Sequence, residues 1–159
     1  MTILRLLIDA DACPVLDLAL VVSSEFEITP ILFCDTSHRI EREGIKTIVV
    51  PKGPDSVDFT LVNTLSKNDI VITQDYGLAA MVLAKCGYVI DPNGREFTAD
   101  NIDQLLFFRH VGQKIRQTGG RTKGPKKRKQ ENNLAFEMKF RQLCERAVLD
   151  EKRGHNHDR

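Results

Sequence analysis

Hydrophobic and polar positions along the first hundred residues follow two alternating periods. Short apolar runs closed by turn residues stand at 4–8, 28–34, 46–50, 69–73 and 88–90. Each reads as a buried strand of a parallel sheet. Between them, apolar residues recur three and four apart. Val15, Leu18, Ala19 and Val22 predict a helix over 14–24. The polar stretch 36–43, closed by Gly44, predicts a second. Val57, Leu61, Val62 and Leu65 predict one over 55–66, and 78–85 predicts a small-residue helix ended by Gly87. Asp91-Pro92-Asn93-Gly94 reads as a turn and 101–115 as a further helix. Strands alternating with helices at these intervals predict an α/β fold, a central parallel sheet flanked by helices. With strand order 3-2-1-4-5, the first and fourth strands are neighbours where the winding reverses.

The pattern changes after residue 116. Residues 117–130 read Q-T-G-G-R-T-K-G-P-K-K-R-K-Q, with six basic residues and no acid. Such a composition cannot make a packed core and predicts a loop. Amphipathic spacing returns with Leu134, Phe136, Phe140, Leu143 and Val148. The expected organisation is an α/β domain over 1–116, a basic Gly-rich loop over 117–130, a docking helix over 131–150 and a disordered tail over 151–159. At 159 residues the chain suits one domain.

Net charge is +1, but it is unevenly spread. Residues 1–108 hold 8 Lys and Arg against 16 Asp and Glu, a balance of −8; residues 109–159 hold 15 against 6, a balance of +9. An acidic body with a basic arm predicts a cation for the body and a polyanion for the arm. Cys13, Cys34, Cys86 and Cys144 form no C-x-x-C pair and suit no zinc site. With no signal peptide before the first strand, a cytoplasmic setting is expected. No apolar stretch approaches the roughly 20 residues that span a bilayer.

The acids cluster where such folds place their chemistry. Asp9 and Asp11 follow the first strand, Asp35 the second and Asp75 the fourth; Asp55 and Asp58 open the helix after the third. Ligands bind beyond the carboxyl ends of parallel strands, and strand order brings Asp9 opposite Asp75. Asp55 and Asp58, three apart, can share one helix face. Like charges this close repel, and oxygen-only donors select Mg²⁺ or Mn²⁺ over zinc. Aspartates at helix starts also serve as caps, an alternative open for Asp11 and Asp55. Asp35 and Asp91 read as turn residues.

Asp9-Ala-Asp11-Ala-Cys13-Pro14, Gly53-Pro-Asp55-Ser-Val-Asp58-Phe59 and Asp69-Ile-Val-Ile-Thr73-Gln-Asp75-Tyr-Gly77-Leu-Ala79 resemble motifs of the YaiI/YqxD family of bacterial proteins. Thr118-Gly119-Gly120-Arg121-Thr122-Lys123-Gly124-Pro125 resembles the same family's C-terminal motif, so the likeness covers nearly the whole chain. That family is similar to PIN-like nucleases. The resemblance implies a three-layer PIN-like domain in which acids after strands one and four, and one on the helix after strand three, hold Mg²⁺ or Mn²⁺. Asp9, Asp58 and Asp75 match those positions, with Asp11 and Asp55 beside them. PIN domains often carry Glu on that helix, and this chain has aspartates.

Arg109 to Lys129 holds nine basic residues and no acid. Gly119, Gly120 and Gly124 would let backbone N–H groups approach phosphate. Gly119, Gly120, Arg121, Thr122, Lys123, Lys126, Lys127, Arg128 and Lys129 are therefore the expected phosphate and RNA contacts. No aromatic platform accompanies the loop, so base-specific readout is not expected. Cys13, without a basic partner, reads as a small packing residue. His38 and His110 read as surface or satisfied residues, and Tyr76 as a packing or base-stacking residue.

Three functions fit these residues. One is a metal-dependent ribonuclease in which Asp9, Asp58 and Asp75 ligate cations that activate water. A second is an RNA- or metal-binding module of the same fold that does not cut. A third is a phosphotransferase of the haloacid-dehalogenase type, suggested by Asp9-Ala-Asp11, although no Gly-Asp-x-x-x-Asp pair closes such a site.

Overall fold

The computed structural model describes residues 4–117 and 128–157. In chain order the described elements are β1 (Arg5–Asp9), α1 (Leu16–Glu25), β2 (Thr29–Asp35), β3 (Lys46–Val50), α2 (Ser56–Thr64), β4 (Ile70–Ile72), α3 (Tyr76–Ala84), β5 (Tyr88–Ile90), β6 (Glu96–Phe97), α4 (Ile102–Gln117) and α5 (Gln130–His157). The sheet order is β3-β2-β1-β4-β5-β6. The five strands read from the sequence are parallel, in the expected order. The two-residue β6 pairs antiparallel to β5 and is too short for periodicity to reveal.

Alternation along β1 divides the core. Leu6 and Ile8 face one side, with Leu32, Ile70 and Ile72, against residues of α1 and α5 such as Ala19, Val22, Phe136 and Phe140. Leu7 faces the other, with Ile31, Phe33, Val71 and Val89, against Leu61, Leu78, Val82 and Ile102 of α2, α3 and α4. Both faces are covered by helices, which is why the central strands read as nearly continuous apolar runs.

The segment 36–43 is not helical. Asp35 Oδ1 accepts the Ser37 and His38 backbone N–H groups at 2.8 and 2.9 Å, closing a turn, and the segment has no apolar stripe to bury. Asp91 acts alike, accepting the Asn93 and Arg95 N–H groups. The last helix runs on through His157, beyond the boundary expected at 150, so 151–157 is helical rather than a disordered tail. Its docking holds it: Phe136, Phe140, Leu143, Cys144 and Ala147 are buried against the α1 side of the sheet. Arg141 pairs with Glu25, Arg146 with Glu96 at 2.5 Å, and the Tyr88 hydroxyl donates to Asp150 at 2.6 Å. Gly94 permits the approach of α5: its φ is +93°, and a Cβ there would lie 2.7 Å from the Ala135 carbonyl oxygen. Among the described residues, no helix is long and apolar enough to cross a membrane.

Candidate functional site

β1 and β4 pair in register, Ile8 beside Ile72, so Asp9 and Thr73 leave the sheet side by side at its carboxyl edge. There a cleft of about 510 Å³ is lined by Asp9, Ala12, Asp58, Thr73, Gln74, Asp75, Tyr76 and Arg109. Three elements supply its carboxylates: Asp9 ends β1, Asp58 lies in the first turn of α2, and Asp75 is the N-cap of α3.

Each wall is fixed locally. Asp75 Oδ1 accepts the Leu78 backbone N–H at 3.1 Å, capping α3, and the Asp75 N–H donates to Thr73 Oγ1 at 3.0 Å. Gly77 leaves room for that carboxylate, since a Cβ there would stand 3.1 Å from Asp75 Oδ1. The Gln74 amide donates to the Ala12 carbonyl at 3.0 Å, tying the turn after β1 to the end of β4. Tyr76 packs edge-on against Phe97, with centroids 5.5 Å apart.

Asp9 carries the largest electrostatic load. Burial, then Asp58 and Asp11, push its carboxyl up to about 6; a hydrogen bond from the Ala12 N–H opposes them, and Asp75 adds a further upward push. Asp58 is raised as well, by burial and then by Asp75 and Asp55. Among the described residues, the cation lining the cleft is Arg109 of α4, with Nη1 3.7 Å from Asp75 Oδ1. Sequence reading placed Arg109 only in the basic stretch. The signal that marks it is its position: it continues the stripe of Ile102, Leu105 and Leu106 that packs α4 on the core, an odd place for a guanidinium.

Of the five acids expected as metal ligands, Asp9, Asp58 and Asp75 share the cleft. Asp11 lines a separate depression with Cys13, Arg42 and Asn133, and stands 3.8 Å from His38. Asp55 holds the N-cap position of α2 in a left-handed conformation, φ +58°, without a side-chain capping bond. Cys13 is buried in the core beside α1, and burial pushes its thiol up to about 11. Among the described residues, no three Asp, Glu, His or Cys side chains are grouped as a metal site. The donor chemistry of the cleft, carboxylate oxygens under mutual repulsion, fits a hard divalent cation; the carboxylates would still have to converge on it.

Of the expected phosphate contacts, Gly119, Gly120, Arg121, Thr122, Lys123, Lys126 and Lys127 lie outside the described residues. Arg128 is held by protein groups: Nε donates to Asn133 Oδ1 at 2.8 Å, Nη1 to Asn93 Oδ1 at 2.9 Å and Nη2 to the Pro92 carbonyl at 2.8 Å. It fastens the end of the basic segment to the turn that also receives α5. Lys129 is exposed.

A model of the family described as "Uncharacterized BCR, YaiI/YqxD family" matches residues 7–146. The chain belongs to the YaiI/YqxD family. A UPF0178 protein of Exiguobacterium sibiricum is 53% identical over 140 residues, 88% of this chain and 96% of the relative. Another from Natranaerobius thermophilus is 42% identical over 150 residues, covering 94% and 99%, and one from Ruminiclostridium cellulolyticum is 48% identical over 135, covering 84% and 88%. No solved structure matches the chain significantly. The YaiI/YqxD match spans β1 to most of α5, so the cleft and the docked last helix both lie within it.

Proposed function

We propose that this YaiI/YqxD chain is a divalent-cation-dependent ribonuclease acting at the Asp9–Asp58–Asp75 cleft. The carrying observation is that carboxylates from three elements line one cleft at the carboxyl edge of β1 and β4, with Asp9 pushed up to about 6. The resemblance of the chain to PIN-like nucleases supports the same reading. Asp9, Asp58 and Asp75 would hold Mg²⁺ or Mn²⁺, with Asp11 and Asp55 adding negative charge nearby. A bound cation of this kind supplies an activated water and charge stabilisation for phosphodiester hydrolysis. The protein's part is to hold the acids apart on three rigid elements, to fix Asp75 through the Leu78 N–H, and to set the Arg109 guanidinium at the rim, where a phosphate can meet it.

A second reading, RNA binding without cutting, is favoured by one observation: the described carboxylates are not grouped as a metal site. The haloacid-dehalogenase reading loses ground, because Asp9 and Asp11 line different depressions. A Mn²⁺ titration followed by melting separates the first two, since a cation bound only by the folded state raises Tm. The nuclease reading expects a rise with Mn²⁺ that shrinks in Asp9→Asn, together with cleavage of labelled RNA that stops in that variant. An unchanged melting curve in millimolar Mn²⁺ and intact RNA would sink it.

A further inference from the structure

The outer surface of α4 carries a second apolar feature that the core does not use. Ile102, Leu105 and Leu106 pack inward, whereas Phe107 and Phe108 are 62% and 58% exposed and Val111 is 37% exposed. The two rings do not stack on each other: their centroids are 6.1 Å apart and their planes are tilted by 57°. Both residues are more than half open to solvent. Phe108 precedes Arg109 of the cleft rim, about 100° around the helix. From Arg109 to Lys129 the sequence holds nine basic residues and no acid. An occupant that is polyanionic along its backbone and offers flat apolar rings meets both features.

We propose that Phe107 and Phe108 form a base-stacking platform that selects single-stranded nucleic acid and delivers its backbone past Arg109 into the acidic cleft. The proposal rests on reading that cleft as a nucleic-acid site and adds strand selectivity to it. Bases of a duplex are already stacked on one another, and only an unpaired strand can lay them on phenylalanine. Stacking of this kind is tolerant of sequence, because every base has a π-face.

The chain has no tryptophan, so Phe107→Trp introduces a single reporter on the platform itself. In chelator, where no cleavage proceeds, a 12-nucleotide oligouridylate should quench its emission, and a 12-base-pair RNA duplex should not. Phe107→Ala with Phe108→Ala should weaken oligouridylate binding at least tenfold while leaving the melting temperature near wild type, since both rings are mostly outside the core. Equal quenching by the duplex, or undiminished affinity in the double variant, would overturn the proposal. So would a concentration-dependent emission shift without RNA, accompanied by dimer sedimentation that the double variant abolishes, because the face would then belong to a second copy. Stacking without cleavage in Mn²⁺ supports the platform and removes the nuclease reading; cleavage without quenching does the opposite.

Discussion

Arg109 of α4 stands 3.7 Å from Asp75, the cap of α3, and so brings a cation to a cleft that Asp9 and Asp58 also line. The two side chains are about half exposed, so the pair contributes little to folding, about 0.5 kcal/mol. Its larger consequence concerns what the cleft can hold. Removing the guanidinium in Arg109→Gln should raise Mn²⁺ affinity several-fold, since a unit charge a few ångströms away is worth about 1 kcal/mol even in water. Calorimetric titration of the two proteins checks this; equal or weaker affinity in the variant would place the cation elsewhere.

Asp9 should make the metal-free protein less stable as pH rises. Its carboxyl, raised from 3.8 to about 6 by burial and by Asp58 and Asp11, keeps its proton in the folded state after the unfolded chain has lost it. Between those values the folded state binds more protons, so stability falls with increasing pH and the loss is complete above about 6. Two units correspond to roughly 3 kcal/mol, reduced to about 1–2 by partial exposure. Denaturant titrations of Asp9→Asn in chelator should show a gain of that size over wild type at pH 7.5 and little difference at pH 4. A variant less stable than wild type at pH 7.5 would mean that the Ala12 N–H requires a carboxylate.

Asp75 has a helix-capping duty that Asp9 lacks. Its Oδ1 caps α3 through the Leu78 N–H, and asparagine caps as well as aspartate. Asp75→Asn should therefore be at least as stable as wild type in chelator while losing Mn²⁺ affinity. Asp75→Ala should lose about 1 kcal/mol. Thermal melts of the pair separate the cap from the charge; equal stability of Asn and Ala variants would contradict the capping role.

Within the basic segment, Arg128 is tied to protein groups, whereas its lysines are proposed to meet phosphate. Each phosphate contact to single-stranded RNA adds about −0.7 to the slope of log K against log salt. Replacing Lys126, Lys127 and Lys129 with Gln should flatten that slope and weaken RNA binding evenly across sequences, with metal affinity intact. Arg128→Gln should instead lower stability by about 1–2 kcal/mol, because the carbonyl of Pro92 and the amides of Asn93 and Asn133 lose a charged donor. A triple variant with the wild-type slope would reduce the segment to a linker.

The order β3-β2-β1-β4-β5, which brings Asp9, Asp58 and Asp75 to one edge, is not contained in the alternation of short apolar runs with helical stripes, which determines the strands, the helices between them and the α/β class. Those features are legible because a strand covered on both faces must be apolar throughout, and the turn after it must be polar. The tertiary structure alone separated Asp9 from Asp11, which are two residues apart in sequence but open onto different depressions. It alone gave Arg128 its protein partners, because Asn93 and Pro92 reach it across 35 and 36 residues of sequence. It also moved Arg109 to the cleft rim and left Phe107 and Phe108 facing water, a difference of one residue that α4 converts into about 100° of rotation. Local pattern reports what a segment buries, whereas the neighbours that a charged side chain meets are set by distant elements folding over it.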